Sequence, residues 1–92
     1  MSKLMNLQLF AAGQRLQKSM FQDVTCIRVK DKVYGNITFL PNHVPCLISM
    51  PDAKVYLKFQ DEHELVVNVS KGYLSIPFNN QVKIISEKLN YD

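Results

Sequence analysis

The chain has 92 residues, 47% of them hydrophobic, and a formal net charge of +3 from 11 Lys and Arg against 8 Asp and Glu. A chain of this length makes one domain, here 1–92, with room for one core. Its composition, with no low-complexity run, predicts a globular chain rather than a disordered one. Its apolar runs fall far short of the ~20 residues of a spanning helix. Near the N-terminus Asn6 and Gln8 interrupt the apolar residues Leu4, Met5, Leu7 and Leu9, so no secretory signal is read there. The expected place is the cytoplasm, or the cytoplasmic side of a membrane complex to which the chain is peripheral, without inserting into the membrane.

Apolar and polar residues alternate, with the period of a half-buried strand, first at Met5-Asn6-Leu7-Gln8-Leu9. The same pattern returns at 24–30, 55–59, 65–69, 73–76 and 82–85. Turn residues separate these stretches: Ala12-Gly13, Asp31-Lys32, Tyr34-Gly35-Asn36, Pro51-Asp52, Gln60-Asp61-Glu62-His63, Lys71-Gly72 and Pro77-Phe78-Asn79-Asn80. Strands punctuated roughly every 8–12 residues predict an all-β fold, a small β-sandwich of two antiparallel sheets. Ile27, Val29, Phe39, Leu47, Leu57, Val67, Val69, Leu74 and Ile84 are the expected core. One stretch admits another reading: Leu9, Leu16, Met20 and Val24 fall near helical spacing, so a helix within Gln8 to Val24 competes with a turn followed by a short strand. Gly13 interrupts that helix, and no capping residue precedes it.

Charge is uneven along the chain. Residues 1–34 carry Lys3, Arg15, Lys18, Arg28, Lys30 and Lys32 against Asp23 and Asp31, while the remainder is slightly acidic. The basic part either faces an acidic partner or is a solvated face. Cys26 and Cys46 lie in apolar stretches and read as free, buried thiols.

Pro41-Asn42-His43-Val44-Pro45 is the stiffest segment, since each proline fixes its own φ and biases the residue before it toward extended backbone. Such a corner suits docking. Chemistry is poorly supplied. His43, Cys46, Cys26 and His63 lack the paired spacing of structural zinc sites, and the widely separated Gly13, Gly35 and Gly72 make no phosphate loop. No metal, cofactor or catalytic residue is expected. The acidic run Asp61-Glu62-His63-Glu64 reads as a solvated hairpin tip, and the aromatic residues mostly as core, with Tyr34 exposed beside Gly35.

Gly35, two apolar residues at Phe39-Leu40 and then Pro41-x-His43-x-Pro45 resemble the epsilon subunit of rotary ATP synthases, whose usual form is Gly-x-x-Gly-apolar-apolar-Pro-x-His-Ala-Pro-Leu-Leu. Val67 to Ile76 is similar to that family's strand, Ser-x-Gly turn and strand, with Ser70 and Gly72 at the turn. Asn79 to Glu87 is similar to its closing strand. Three departures occur: Thr38 stands at the second glycine, Asp52 at the glycine after Pro51, and Lys71 at the first glycine of the later pair. Each removes easy access to positive φ.

The resemblance implies a non-catalytic subunit of the central rotor stalk. It would join a gamma-like subunit, under the catalytic head, to the membrane rotor ring, and support torque transmission and proton transport coupled to ATP synthesis or hydrolysis. The implied partner interface is Lys30, Asp31, Lys32, Val33, Tyr34, Gly35 and Asn36, with Pro41, Asn42 and His43 at the corner. The chain stops at Lys88-Leu89-Asn90-Tyr91-Asp92, so the family's regulatory helical hairpin and its ATP sensing are not expected. The competing class is a basic barrel of oligonucleotide-binding type, which would gather Arg15, Lys18, Arg28, Lys30 and Lys32 in one groove beside exposed aromatic rings.

Overall fold

Six strands account for most of the chain in a computed structural model, which describes residues 4–13, 15, 19–33, 35–42, 45–78 and 80–91, the side chain of Phe78 excepted. They are β1 (Met5–Ala11), β2 (Met20–Asp31), β3 (Gly35–Phe39), β4 (Cys46–Phe59), β5 (Glu64–Phe78) and β6 (Gln81–Tyr91). The described residues contain no helix. Of the stretch Gln8 to Val24, Gln8 to Ala11 lie on β1 and Met20 to Val24 on β2, which is strand at both ends; Gln14 and Leu16 to Lys18 lie outside the described residues. Gly13, at φ +66°, supplies the left-handed backbone of the turn after β1.

Hydrogen bonding runs in the order β1-β6-β5-β4-β2-β3, and pairing of β1 with β2 closes the circuit. All pairs are antiparallel except β1 with β6, which run parallel. The all-β sandwich expected from the alternation is therefore present, with one parallel pair and with long strands shared between its two layers.

That sharing is visible in which residues face inward. On β4 the buried residues are Ala53, Val55 and Leu57 in the second half, but Met50 in the first, where Cys46 and Ile48 are half-buried. On β5 they are Val67 and Val69, then Gly72, Leu74 and Ile76. On β6 they are Val82, Ile84 and Ser86, then Leu89. A side chain alternates faces strictly along a straight strand, so this change of parity marks a bend. It falls at aligned positions, because Asp52 pairs with Ser70 and Ser70 with Lys88. The three-stranded ribbon thus folds over one line, and its halves cover a single apolar core.

This corner corrects two expectations. Pro51-Asp52 and Lys71-Gly72 do not reverse the chain; they lie inside β4 and β5, where the strands bend from one layer to the other. Lys71 adopts φ +53°, a cost for a residue with a Cβ. Gly72 is required by crowding: a Cβ there would lie 2.6 Å from Val69 Cγ1 and 2.8 Å from Ser86 Cβ. Of the other family glycine positions, neither Thr38 nor Asp52 has positive φ, so those substitutions ask nothing unusual of the backbone.

The layer built from β2, β3, the second half of β4 and the first half of β5 contributes Ile27, Val29, Phe39, Val55, Leu57, Val67 and Val69 to the core. The other layer contributes Leu7 and Leu9 of β1, with Met50, Leu74, Ile76 and Ile84. Burial of each such side chain favours folding by roughly 1.5–3 kcal/mol, which makes the inward parity of each half-strand decisive. Leu47, expected in the core, is 68% exposed. Its strand half buries the even-numbered positions, so an odd-numbered residue there points outward.

Candidate functional site

The β2–β3 turn is built on Asp31. Its carboxylate, at the inward-facing end of β2 and 7% exposed, accepts the Val33 N–H at Oδ2 (2.8 Å) and the Asp52 N–H at Oδ1 (3.3 Å). The Lys32 N–H donates to the Asp52 carbonyl (3.1 Å), and Lys32 Nζ lies 3.2 Å from Asp52 Oδ2. The turn is thereby tied to the β4 corner, and Gly35 completes it at φ +89°. Lys30, Lys32, Val33, Gly35 and Asn36 are exposed, whereas Asp31 faces inward as a support. Tyr34 lies outside the described residues.

At the far end of β3, Pro41, Asn42 and Pro45 are the described residues of the proline corner; His43 and Val44 lie outside the described residues. Asn42, at φ +69°, donates its N–H to Asn80 Oδ1 (2.7 Å), and Asn80 Nδ2 donates to Asn42 Oδ1 (3.4 Å). Asn80 is also left-handed, at φ +59°. The corner is thus held by the β5–β6 turn as well as by its prolines. No local sequence pattern announces this partnership, which spans 38 positions. The residues expected at a partner interface fall at the two ends of β3, about 15 Å apart at the usual strand rise.

The broad outer faces of the two layers differ. On the β1 side, Phe10 pairs with Ile85 and Ile85 with Tyr73, all exposed, and Leu47 lies diagonally from Tyr73 on β4. These four side chains make an apolar row across β1, β6, β5 and β4. Tyr73, one of the aromatic residues expected mostly in the core, belongs to this row and is 53% exposed. The other outer face is charged. Arg28 pairs with Tyr56, Lys30 with Lys54 and Cys26 with Lys58. The Arg28 guanidinium carbon sits 5.4 Å from the Tyr56 ring centroid and Lys30 Nζ 5.1 Å from it. Arg28 also approaches Glu64 at 3.8 Å, and Lys58 approaches Glu62 at 3.1 Å. Arg28 and Lys30 therefore cover the Tyr56 ring, with Arg28 also beside Glu64 and Lys32 paired with Asp52, and the three do not line a groove with bare aromatic rings. Lys18 lies outside the described residues.

The acidic run forms the β4–β5 hairpin tip as expected, with Glu62 at φ +70° and Asp61 Oδ1 accepting the His63 N–H (3.2 Å). Beside it a cavity of about 630 Å³ is floored by Phe21, Phe59 and Leu65, with Asp23 and Asp61 on its rim. Ring centroids of Phe21 and Phe59 are 6.0 Å apart, and those of Phe59 and His63 are 5.3 Å apart. Among the described residues no three His, Cys, Asp or Glu side chains gather as a metal site. Cys26 and Cys46 are free and half-buried, where full burial was expected, and burial pushes the Cys46 thiol pKa up. Among the described residues no helix is long and apolar enough to cross a membrane.

A family model described as ATP synthase, Delta/Epsilon chain, beta-sandwich domain matches residues 14–90. The ATP synthase epsilon chains of two Clostridium kluyveri strains are each 26% identical over 87 residues, which is 95% of this chain and 62% of theirs. The chain thus spans under two thirds of the length of these curated relatives. Among solved structures, a chain of the Euglena gracilis mitochondrial ATP synthase, in an assembly with the c-ring, superposes with a TM-score of 0.78 at 15% identity. That match covers 96% of this chain and 53% of that one. A chain of the central stalk and c-ring of the Tetrahymena thermophila mitochondrial ATP synthase gives 0.73 at 13% identity, covering 97% and 67%. At these identities the superpositions speak for the fold, and the family model adds lineage: the chain belongs to the family of the ATP synthase delta/epsilon chain β-sandwich domain.

Proposed function

We propose that the chain acts as one unit in the central stalk of a rotary ATPase, as a non-catalytic rotor subunit that docks on a gamma-like subunit below the catalytic head. The observation that carries this reading is the row Phe10, Ile85, Tyr73 and Leu47 on the outer face of one layer. Apolar side chains clustered on a rigid sheet, one of them a tyrosine, have the make-up of an interface centre. The exposed part of the 30–36 turn, with Val33 at 65% exposure, is the side offered to the rotor ring. In this role the subunit works through shape and stiffness: the bent ribbon and the Asp31-braced turn hold two contact surfaces at fixed separation, so that rotation of one partner is passed to the other. Its place is peripheral to the membrane, within the complex.

The test is copurification from cells producing the tagged chain. Docking through an apolar centre changes little with salt, so gamma-like and catalytic subunits should stay bound in high salt. Tyr73→Asp with Ile85→Asp should release them. Tyr34→Ala with Val33→Asp should disturb only the ring-side contact. Copurification with nucleic acid that is lost as salt rises would overturn the assignment.

A further inference from the structure

The charged outer face, on the layer away from the apolar row, borders the 30–36 turn at Lys30 and Lys32 and carries beyond it a feature that the stalk reading does not use. Arg28 and Lys30 project from alternate positions of β2 over one ring, that of Tyr56. Cation–π stacking holds both heads in place, so little mobility is left to lose when an anion binds. Among the described residues Lys30 has the Tyr56 ring, not a carboxylate, as its partner. Directly opposite it stands Lys54, and like charges across a strand pair repel. Across the face, Arg28, Lys30, Lys32, Lys54 and Lys58 outnumber the acids Asp52, Glu62 and Glu64. Two shallow depressions flank the stacked tyrosine. One, of about 210 Å³, is lined by Lys30, Lys32, Asp52, Lys54 and Asn68; the other, of about 310 Å³, by Cys26, Arg28, Tyr56, Lys58 and Glu64.

We propose that this face is a third docking surface, which takes an acidic polypeptide segment whose carboxylates enter the two depressions on either side of Tyr56. Charge complementarity selects an anion, and the arrangement selects a protein over a nucleic acid. Asp52 and Glu64 within the patch oppose a continuous run of phosphates. The Tyr56 ring face, already covered by two cations, offers no platform on which a base could stack. Separate carboxylates spaced along an extended segment fit bases that alternate along a strand.

The experiment is an NMR titration of the full ¹⁵N-labelled chain with three probes: a synthetic peptide alternating Glu and Ser, an oligothymidylate of equal formal charge, and inorganic phosphate. The expected result is saturable binding of the peptide, with amide shifts at Arg28, Lys30, Lys54, Tyr56 and Lys58 and none at Phe10, Tyr73 or Ile85. Arg28→Gln with Lys30→Gln should weaken the peptide about tenfold, as loss of complementary charges at an interface does. Lys71→Gln with Lys83→Gln, on the opposite face, should leave it unchanged. Thermal melts check that the variants fold, and the map on the unaltered chain stands without them. Tighter binding of the oligothymidylate at the same residues, phosphate binding as strong as that of the peptide, shifts spread over both faces, or no saturation would each overturn the proposal.

Discussion

The two outer faces of this domain share strands β4 and β5, yet one is a mesh of charges around a tyrosine and the other a row of apolar side chains. Tyr56 and Leu47 both lie on β4, and Val66 and Tyr73 both on β5. What separates them is the corner at Asp52, Ser70 and Lys88, where every strand exchanges its inward and outward positions. Each half-strand therefore writes its own surface. Chemistry is allotted to faces by the bend, and moving the bend by one residue would send the core side chains of one half outward.

The comparison is broken most directly at the bend itself. Gly72→Ala should destabilise the fold by about 1–3 kcal/mol through overpacking against Val69 and Ser86. That loss should lower the melting temperature by about 4–8 °C for each kcal/mol; an unchanged melt would mean that the corner relaxes freely. Next is Asp31→Ala, which leaves the Val33 and Asp52 N–H groups without their acceptor. About 1–2 kcal/mol should be lost, and hydrogen exchange should speed up in the 31–33 turn ahead of the apolar face.

Lys71→Gly should have the opposite sign. It relieves a left-handed lysine at the cost of a more flexible unfolded chain, and a gain of about 0.5–1 kcal/mol in urea titration is expected. The Lys71–Glu87 pair is exposed at 3.7 Å and will not offset this. Smallest is Glu64→Gln on the charged face, whose half-exposed pair with Arg28 at 3.8 Å should be worth about 0.5 kcal/mol or less. The charged face should thus tolerate substitution, whereas at the bend the sign depends on whether the change adds bulk at Gly72 or relieves Lys71.

A pH effect sharpens the same contrast. Burial raises the Cys46 thiol pKa, so the neutral thiol is the form the fold favours. The folded pKa lies above the unfolded one. The resulting stability is complete below the unfolded value and fades as pH rises through the folded one. Alkylation of Cys46 by iodoacetamide should be slower in the folded chain than in urea under mildly alkaline conditions, since the thiolate is the reacting form.

Much of the fold was legible because alternation is a direct record of half-burial. The strands at 24–30, 55–59 and 65–69 lie within β2, β4 and β5, and eight of the nine expected core residues are buried. Leu47 departs from expectation because alternation alone does not say which alternate positions face inward once a strand bends. Pro51-Asp52 and Lys71-Gly72 did mark breaks, but local composition does not separate a corner within paired strands from a reversal. The β2–β3 turn was legible in Gly35 and the polar residues around it. The Asn42–Asn80 clasp and the Arg28–Tyr56–Lys30 stack were not, since both are made by pairing across distant strands. The family lineage was legible in the spacing of Gly35, Pro41, His43, Pro45 and Gly72, which survives the changes at Thr38, Asp52 and Lys71.

The central claim is that the apolar row, and not the charged face, meets the gamma-like stalk subunit. A photo-crosslinking residue placed singly at Ile85 or at Lys54 in the assembled complex tests it with one readout, the identity of the captured chain. The account predicts capture of the gamma-like subunit from Ile85 and not from Lys54. Capture from Lys54 with none from Ile85 would contradict it.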